Sequence, residues 1–108
     1  MEIINLTPHE IRVILGSEKI TFPASGQIAL VEEKRKPLGF VVAEKEIPLN
    51  RISYGEIEGL PDFTEGTIYL VSRVVLAAAK GRKDLVAPGN MIRKDDGTIA
   101  GCDGFITY

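Results

Sequence analysis

Apolar positions along this chain recur mostly at every second residue, in short runs broken by glycine and proline. Glu10-Ile11-Arg12-Val13-Ile14-Leu15 alternates and stops at Gly16-Ser17. It resumes as Glu18-Lys19-Ile20-Thr21-Phe22, at the spacing of an antiparallel hairpin. Glu2 to Leu6 is a short apolar stretch closed by Thr7-Pro8, where proline removes a ladder donor. Gln27 to Glu33 predicts another strand, which gives way to the charge run Glu32 to Lys36. Pro37 and Gly39 punctuate, and Phe40 to Glu44, Glu46 to Leu49 and Arg51 to Ile57 then each predict extended chain. Glu58 to Glu65 carries Gly59, Pro61, Asp62 and Thr64 and predicts a surface loop. Asn90 to Arg93 and Thr98 to Cys102 flank Lys94-Asp95-Asp96-Gly97, in which Asp-Gly supplies the positive φ of a tight hairpin. Gly104 to Tyr108 is expected to extend the last of these strands.

One segment departs from alternation. Thr67 to Val71 is continuously apolar, as in a strand buried on both faces. Ser72 then suits a helix N-cap, Val74 to Ala79 a buried helix, and Gly81 the left-handed position beyond its end. At about two turns, such a helix depends on packing rather than on propensity. Leu85-Val86 follows as a brief strand. The pattern predicts a single α+β domain over residues 1–108, β-rich, with about eight short, mostly antiparallel strands and one short helix.

Composition narrows the classes. A chain of 108 residues buries about two-thirds of the surface its unfolded form exposes. The 13 basic and 15 acidic side chains leave a formal charge of −2, so a polyanion would need a local basic patch. Cys102 is alone and the opening residues carry neither a basic nor an apolar leader, which makes the cytoplasm the expected compartment. The longest apolar run, Val74 to Ala79, is too short to span a bilayer, so no membrane partner is expected.

Candidate chemistry concentrates at the strand-to-helix turn. A helix entrance presents unpaired N–H groups beside Ser72 and Arg73, and Arg82 and Lys83 follow the helix; these four residues are the candidate anion-binding set. Capping by Ser72 is the simpler account, because no glycine-rich loop precedes the helix. A triad of Ser72, His9 and Asp84 rests on residue types alone, and the turn lacks the small flanking residues of a nucleophile elbow. With one His and one Cys far apart, no metal site is predicted, and no cofactor. Three basic clusters, Lys34-Arg35-Lys36, Lys80-Arg82-Lys83 and Arg93-Lys94, would contact phosphates if the fold joined them, but no aromatic is interleaved for base stacking.

Several segments, in order along nearly the whole chain, carry a resemblance. They are Asn5-Leu6-Thr7-Pro8-His9, Tyr54-Gly55-Glu56-Ile57-Glu58-Gly59-Leu60-Pro61, Glu65-Gly66-Thr67-Ile68-Tyr69-Leu70-Val71-Ser72, and Arg82-Lys83-Asp84-Leu85-Val86-Ala87-Pro88-Gly89 with Gly97 to Gly101. The chain resembles a family of small uncharacterised proteins from bacteria, archaea and their phages. The resemblance implies a mobile-element or phage-related context and no particular chemistry. The leading expectation is a cytoplasmic binding or interaction domain rather than an enzyme, which associates with itself through an edge strand or with another protein. The rivals are an enzyme acting on a phosphorylated or nucleic-acid substrate at Ser72, and a basic-patch nucleic-acid binder.

Overall fold

The continuously apolar run forms β6 (Thr67–Leu70), and it is central, as a strand apolar on both faces requires. It lies between β1 (Glu2–Asn5) and β7 (Leu85–Pro88), with β10 (Phe105–Ile106) beyond β7. A computed structural model describes all of residues 1–108 and contains ten strands and one helix, α1 (Arg73–Ala78).

The pairing corrects the expectation of about eight mostly antiparallel strands. β1 runs parallel to β6, with Ile3 opposite Ile68 and Asn5 opposite Leu70, and β6 runs parallel to β7. The cause of the second pairing is α1: a strand followed by a helix that packs back on the sheet returns its next strand parallel. β10 also departs from expectation. Gly104 takes φ 154° after Asp103, and Phe105–Ile106 leaves the preceding strand to pair antiparallel with Pro88 and Ala87.

A second four-stranded sheet has the order β3-β2-β9-β8. Its two expected hairpins are present: β2 (Ile11–Leu15) with β3 (Glu18–Phe22), and β8 (Met91–Arg93) with β9 (Ile99–Cys102). The hairpins join through β2 and β9, parallel at Val13 and Cys102. Gly101 permits that approach, since a Cβ there would stand 2.6 Å from the Arg12 carbonyl oxygen. The rings of Phe22 and Phe105, 5.5 Å apart, connect the two sheets.

The Asn5-Leu6-Thr7-Pro8-His9 segment is a hydrogen-bonded junction. Asn5 is 2% exposed, and its Nδ2 donates to the carbonyls of His9 (2.8 Å) and Phe22 (2.9 Å). Its Oδ1 accepts from the Thr7 backbone N–H at 2.9 Å and from Thr7 Oγ1 at 2.7 Å. One side chain thereby ties the end of β1 to the end of β3.

The third sheet contains only β4 (Leu30–Val42) and β5 (Glu46–Glu58), an antiparallel pair of 13 residues each. The charge run Glu32 to Lys36 and the separate extended pieces expected around it are continuous strand. Register shifts at Val31/Glu33 and Pro37/Gly39 absorb the irregular residues as bulges, so Pro37 and Gly39 bend the strand rather than end it. At its root, Val31 and Ile57 pack on a core of Leu6, Ala29, Tyr69, Val71, Val75, Leu76, Leu85 and Ala87. Distal to that root every residue from Glu32 to Tyr54 is exposed, and the hairpin projects as an arm.

Candidate functional site

At the helix entrance the Ser72 hydroxyl accepts from the Val75 backbone N–H at 3.3 Å, the N-cap bond expected of it. The helix it caps has six residues. Arg73 turns away from the entrance: its Nε donates to the Pro88 carbonyl (3.3 Å) and its Nη2 to the Gly89 carbonyl (2.9 Å). Gly81 has a positive φ of 96°, but two residues past the cap Ala79 rather than directly after it.

Arg82 is committed elsewhere. Its Nε and Nη2 grip the Asp84 carboxylate at 2.7 and 2.6 Å, and Nη2 also donates to the Pro61 carbonyl at 3.0 Å. Asp84 is 3% exposed, and the hydrogen bonds from Arg82 hold its carboxyl below the ordinary range against the opposing effect of burial. The same bonds raise the guanidinium of Arg82. Lys83 is exposed and makes no ion pair. The four candidate residues thus sit near one another in sequence and in the same βαβ unit, while the polar groups of three of them are engaged with the protein's own backbone or with Asp84.

The basic clusters lie on three elements: the arm, the α1–β7 connection and the β8–β9 hairpin. Lys80 Nζ stands 5.7 Å over the Tyr108 ring, and Arg93 Nη1 donates to the Gly97 carbonyl at 2.8 Å. No group of three or more His, Cys, Asp or Glu residues is arranged to hold a metal ion. A shallow cleft of about 270 Å³ lies between β2 and β9, lined by Met91, Ile99, Pro88 and the buried Cys102 with His9 at its edge. The carboxylate there, Glu10, is already paired with Arg12 Nε at 2.8 Å. No helix is long and apolar enough to cross a membrane.

The arm is the feature that alternation did not reveal, and its register shows what it presents. Paired residues share a face and successive pairs alternate. One face carries Val31/Ile57, Glu33/Tyr54, Arg35/Ile52, Pro37/Asn50, Phe40/Pro48 and Val42/Glu46. The other carries Lys34/Ser53 and Lys36/Arg51, then Gly39/Leu49 and Val41/Ile47 toward the tip. Gly55 confirms the division, since a Cβ there would meet Glu32 Oε2 at 3.1 Å and Lys34 Cε at 3.2 Å, side chains of the second face. The first face is continuous with the core at its root. Beyond the root its apolar groups have no layer over them: Tyr54 is 43% exposed, Ile52 49%, Phe40 59% and Val42 75%.

No protein-family model matches the chain, and no curated protein or solved structure matches it either.

Proposed function

We propose that this chain is an interaction domain whose working surface is the β4–β5 arm, with a macromolecule as its ligand. The observation that carries this reading is the apolar face running from the core root at Val31 and Ile57 to Val42, uncovered over its whole distal length. Exposed apolar strips of this extent mark protein contact surfaces. A two-stranded ribbon is marginal by itself in water, so a covering layer also accounts for an arm of 13-residue strands. The resemblance carried by the segments from Asn5 to Gly101 supports a phage-related setting, and the lone free thiol Cys102 suits a reducing compartment such as the cytoplasm. Catalysis at Ser72 lacks comparable support, because the hydroxyl caps a six-residue helix and Arg73 and Arg82 are occupied.

The test is site-specific photo-cross-linking in the intact chain. A photoreactive phenylalanine analogue replaces Phe40 or Tyr54 on the apolar face, or Phe63 on the loop after the arm. Irradiation is expected to give a discrete protein adduct from both arm positions and none from position 63. Absence of any adduct from the arm positions would refute the reading.

A further inference from the structure

The second face of the arm, opposite the apolar strip, carries its charges sorted by sign. From the root outward it presents Leu30/Glu58, then Glu32 and Glu56, then Lys34/Ser53 and Lys36/Arg51, then Gly39/Leu49 and Val41/Ile47. Three carboxylates thus lie on the root side of the level of Glu33, and three cations on the tip side. None of the six makes an ion pair within the chain. Apolar groups stand at both ends. Leu49, Val41 and Ile47 are exposed toward the tip, and beyond the root Ile28 and Leu60 line a shallow hollow.

Nothing in the chain covers this side. Val31 and Ile57 meet the core on the other side of the ribbon, while Leu30, next to Val31, is 60% exposed. Glu32, Glu56 and Glu58 are exposed as well. Ala29 is buried between exposed Ile28 and Leu30, so Ile28 continues the open face past the root.

The order apolar, acidic, basic, apolar is its own complement when reversed. A second arm laid antiparallel on this face meets each segment with the segment that suits it, the condition of an isologous contact. A two-fold axis across the strands at the level of Glu33 places β4 over the partner's β4 and β5 over the partner's β5. Lys34 then stands over the partner's Glu32, and Lys36 over the partner's Leu30. Arg51 is paired with Lys36, and Glu58 with Leu30, so the same axis sets Arg51 over the partner's Glu58. Both strands agree on one axis. Leu49 and Val41 extend toward the partner's hollow at Ile28 and Leu60. Sheets packed face to face stand about 10 Å apart, a gap that a glutamate and a long basic side chain bridge together.

We infer that the chain forms a two-fold dimer through the second face of its arm, with reciprocal Arg51–Glu58 and Lys34–Glu32 ion pairs. A parallel arrangement sets acid on acid and base on base, so the charge order also fixes the orientation. The apolar strip lies on the opposite face and stays open to its own ligand, so the inference stands apart from the reading of that strip.

Light scattering coupled to size exclusion, together with sedimentation equilibrium, tests it on the full chain. Wild type is expected at twice 11.8 kDa at micromolar concentration. Arg51→Glu or Glu58→Arg alone breaks two symmetry-related pairs and sets like charges together, so each raises the dissociation constant about tenfold or more. An equal mixture of the two variants recovers a dimer within a few-fold of wild type, because the copy with two acids meets the copy with two bases. Arg35→Glu, on the apolar face, leaves association unchanged, and circular dichroism checks that each variant is folded. Lys34→Glu and Glu32→Lys repeat the comparison at the central pair, so a misfolded variant at one pair leaves the other to decide. A monomeric wild type, insensitivity to the single reversals, or a mixture that fails to recover would overturn the inference. A monomeric wild type that still gives adducts from Phe40 and Tyr54 overturns it and leaves the apolar strip as the working surface; a dimer without those adducts does the reverse.

Discussion

Replacing Arg82 by Met would strand a buried carboxylate, and the structure sets the size of the loss. Asp84 has a side chain 2% exposed, and its two oxygens receive bonds of 2.7 and 2.6 Å from Arg82. Charge-assisted bonds contribute about 1.5–3 kcal/mol each, and breaking a buried pair from one side costs about 3–5 kcal/mol. The Arg82 side chain keeps 29% exposure, so water recovers part of that, and a loss of about 3 kcal/mol is expected. For a domain of this size the midpoint of thermal unfolding falls by about 12–24 °C. The pH dependence provides an independent check. In wild type the folded pKa of Asp84 lies below its ordinary value. The pair's contribution is therefore present above that ordinary value and is lost as pH falls through the folded one. In Arg82→Met, burial without a partner pushes the same carboxyl up. The deficit is then full at neutral pH and shrinks as acid protonates Asp84. Urea unfolding at fixed protein concentration, at neutral pH and near pH 4, measures both quantities. A loss below about 0.5 kcal/mol, or a deficit equal at the two pH values, would refute the reasoning. Adding Asp84→Leu to Arg82→Met is expected to recover most of the stability, because the unpaired charge goes with it.

Two further substitutions test the remaining structural assignments. Asn5→Ala removes four hydrogen bonds at the β1–β3 junction and should cost about 2–4 kcal/mol by chemical denaturation, a near-neutral result refuting the junction. Ser72→Ala should cost about 0.5–1 kcal/mol, at the low end for a cap whose bond is long. Inorganic phosphate should leave the melting point of both wild type and Ser72→Ala unmoved; a phosphate-dependent rise in wild type that the variant lacks would instead establish an anion site at the helix entrance.

Legibility in the sequence followed the range of the interaction. The β2–β3 and β8–β9 hairpins were readable because Gly16 and Asp96-Gly97 write their turns locally. Strand β6 and the Ser72 cap were readable for the same reason: four consecutive apolar residues, Ile68 to Val71, and one hydroxyl suffice. The parallel pairing of β1 with β6 joins Glu2 to Thr67 and leaves no local mark on either strand. At the site, the Arg82–Asp84 grip was not read from the sequence, because the pair closes across the bend before β7 rather than along a strand. Nor was the role of Asn5, because its acceptors at His9 and Phe22 come together only when two strands end at the same corner.

The arm failed to appear for a different reason, and that reason bears on what it does. Pro37 and Gly39 break the period, but as bulges they shift the register by one and let pairing continue. On β5 Ile52 and Tyr54 keep the alternation of a strand with one face buried, and the register shift at Val31/Glu33 brings Ile57, three residues on, to the same face. Only Ile57 finds that burial inside the chain. Alternation reports that a face is to be covered and is silent on whether the cover belongs to the same molecule. Where the pattern of a buried face meets open surface, as at Ile52 and Tyr54, the arm is on our proposal half of a core. On that proposal the other half is supplied from outside the chain, against a face on which Glu33 and Arg35 stand among the apolar groups.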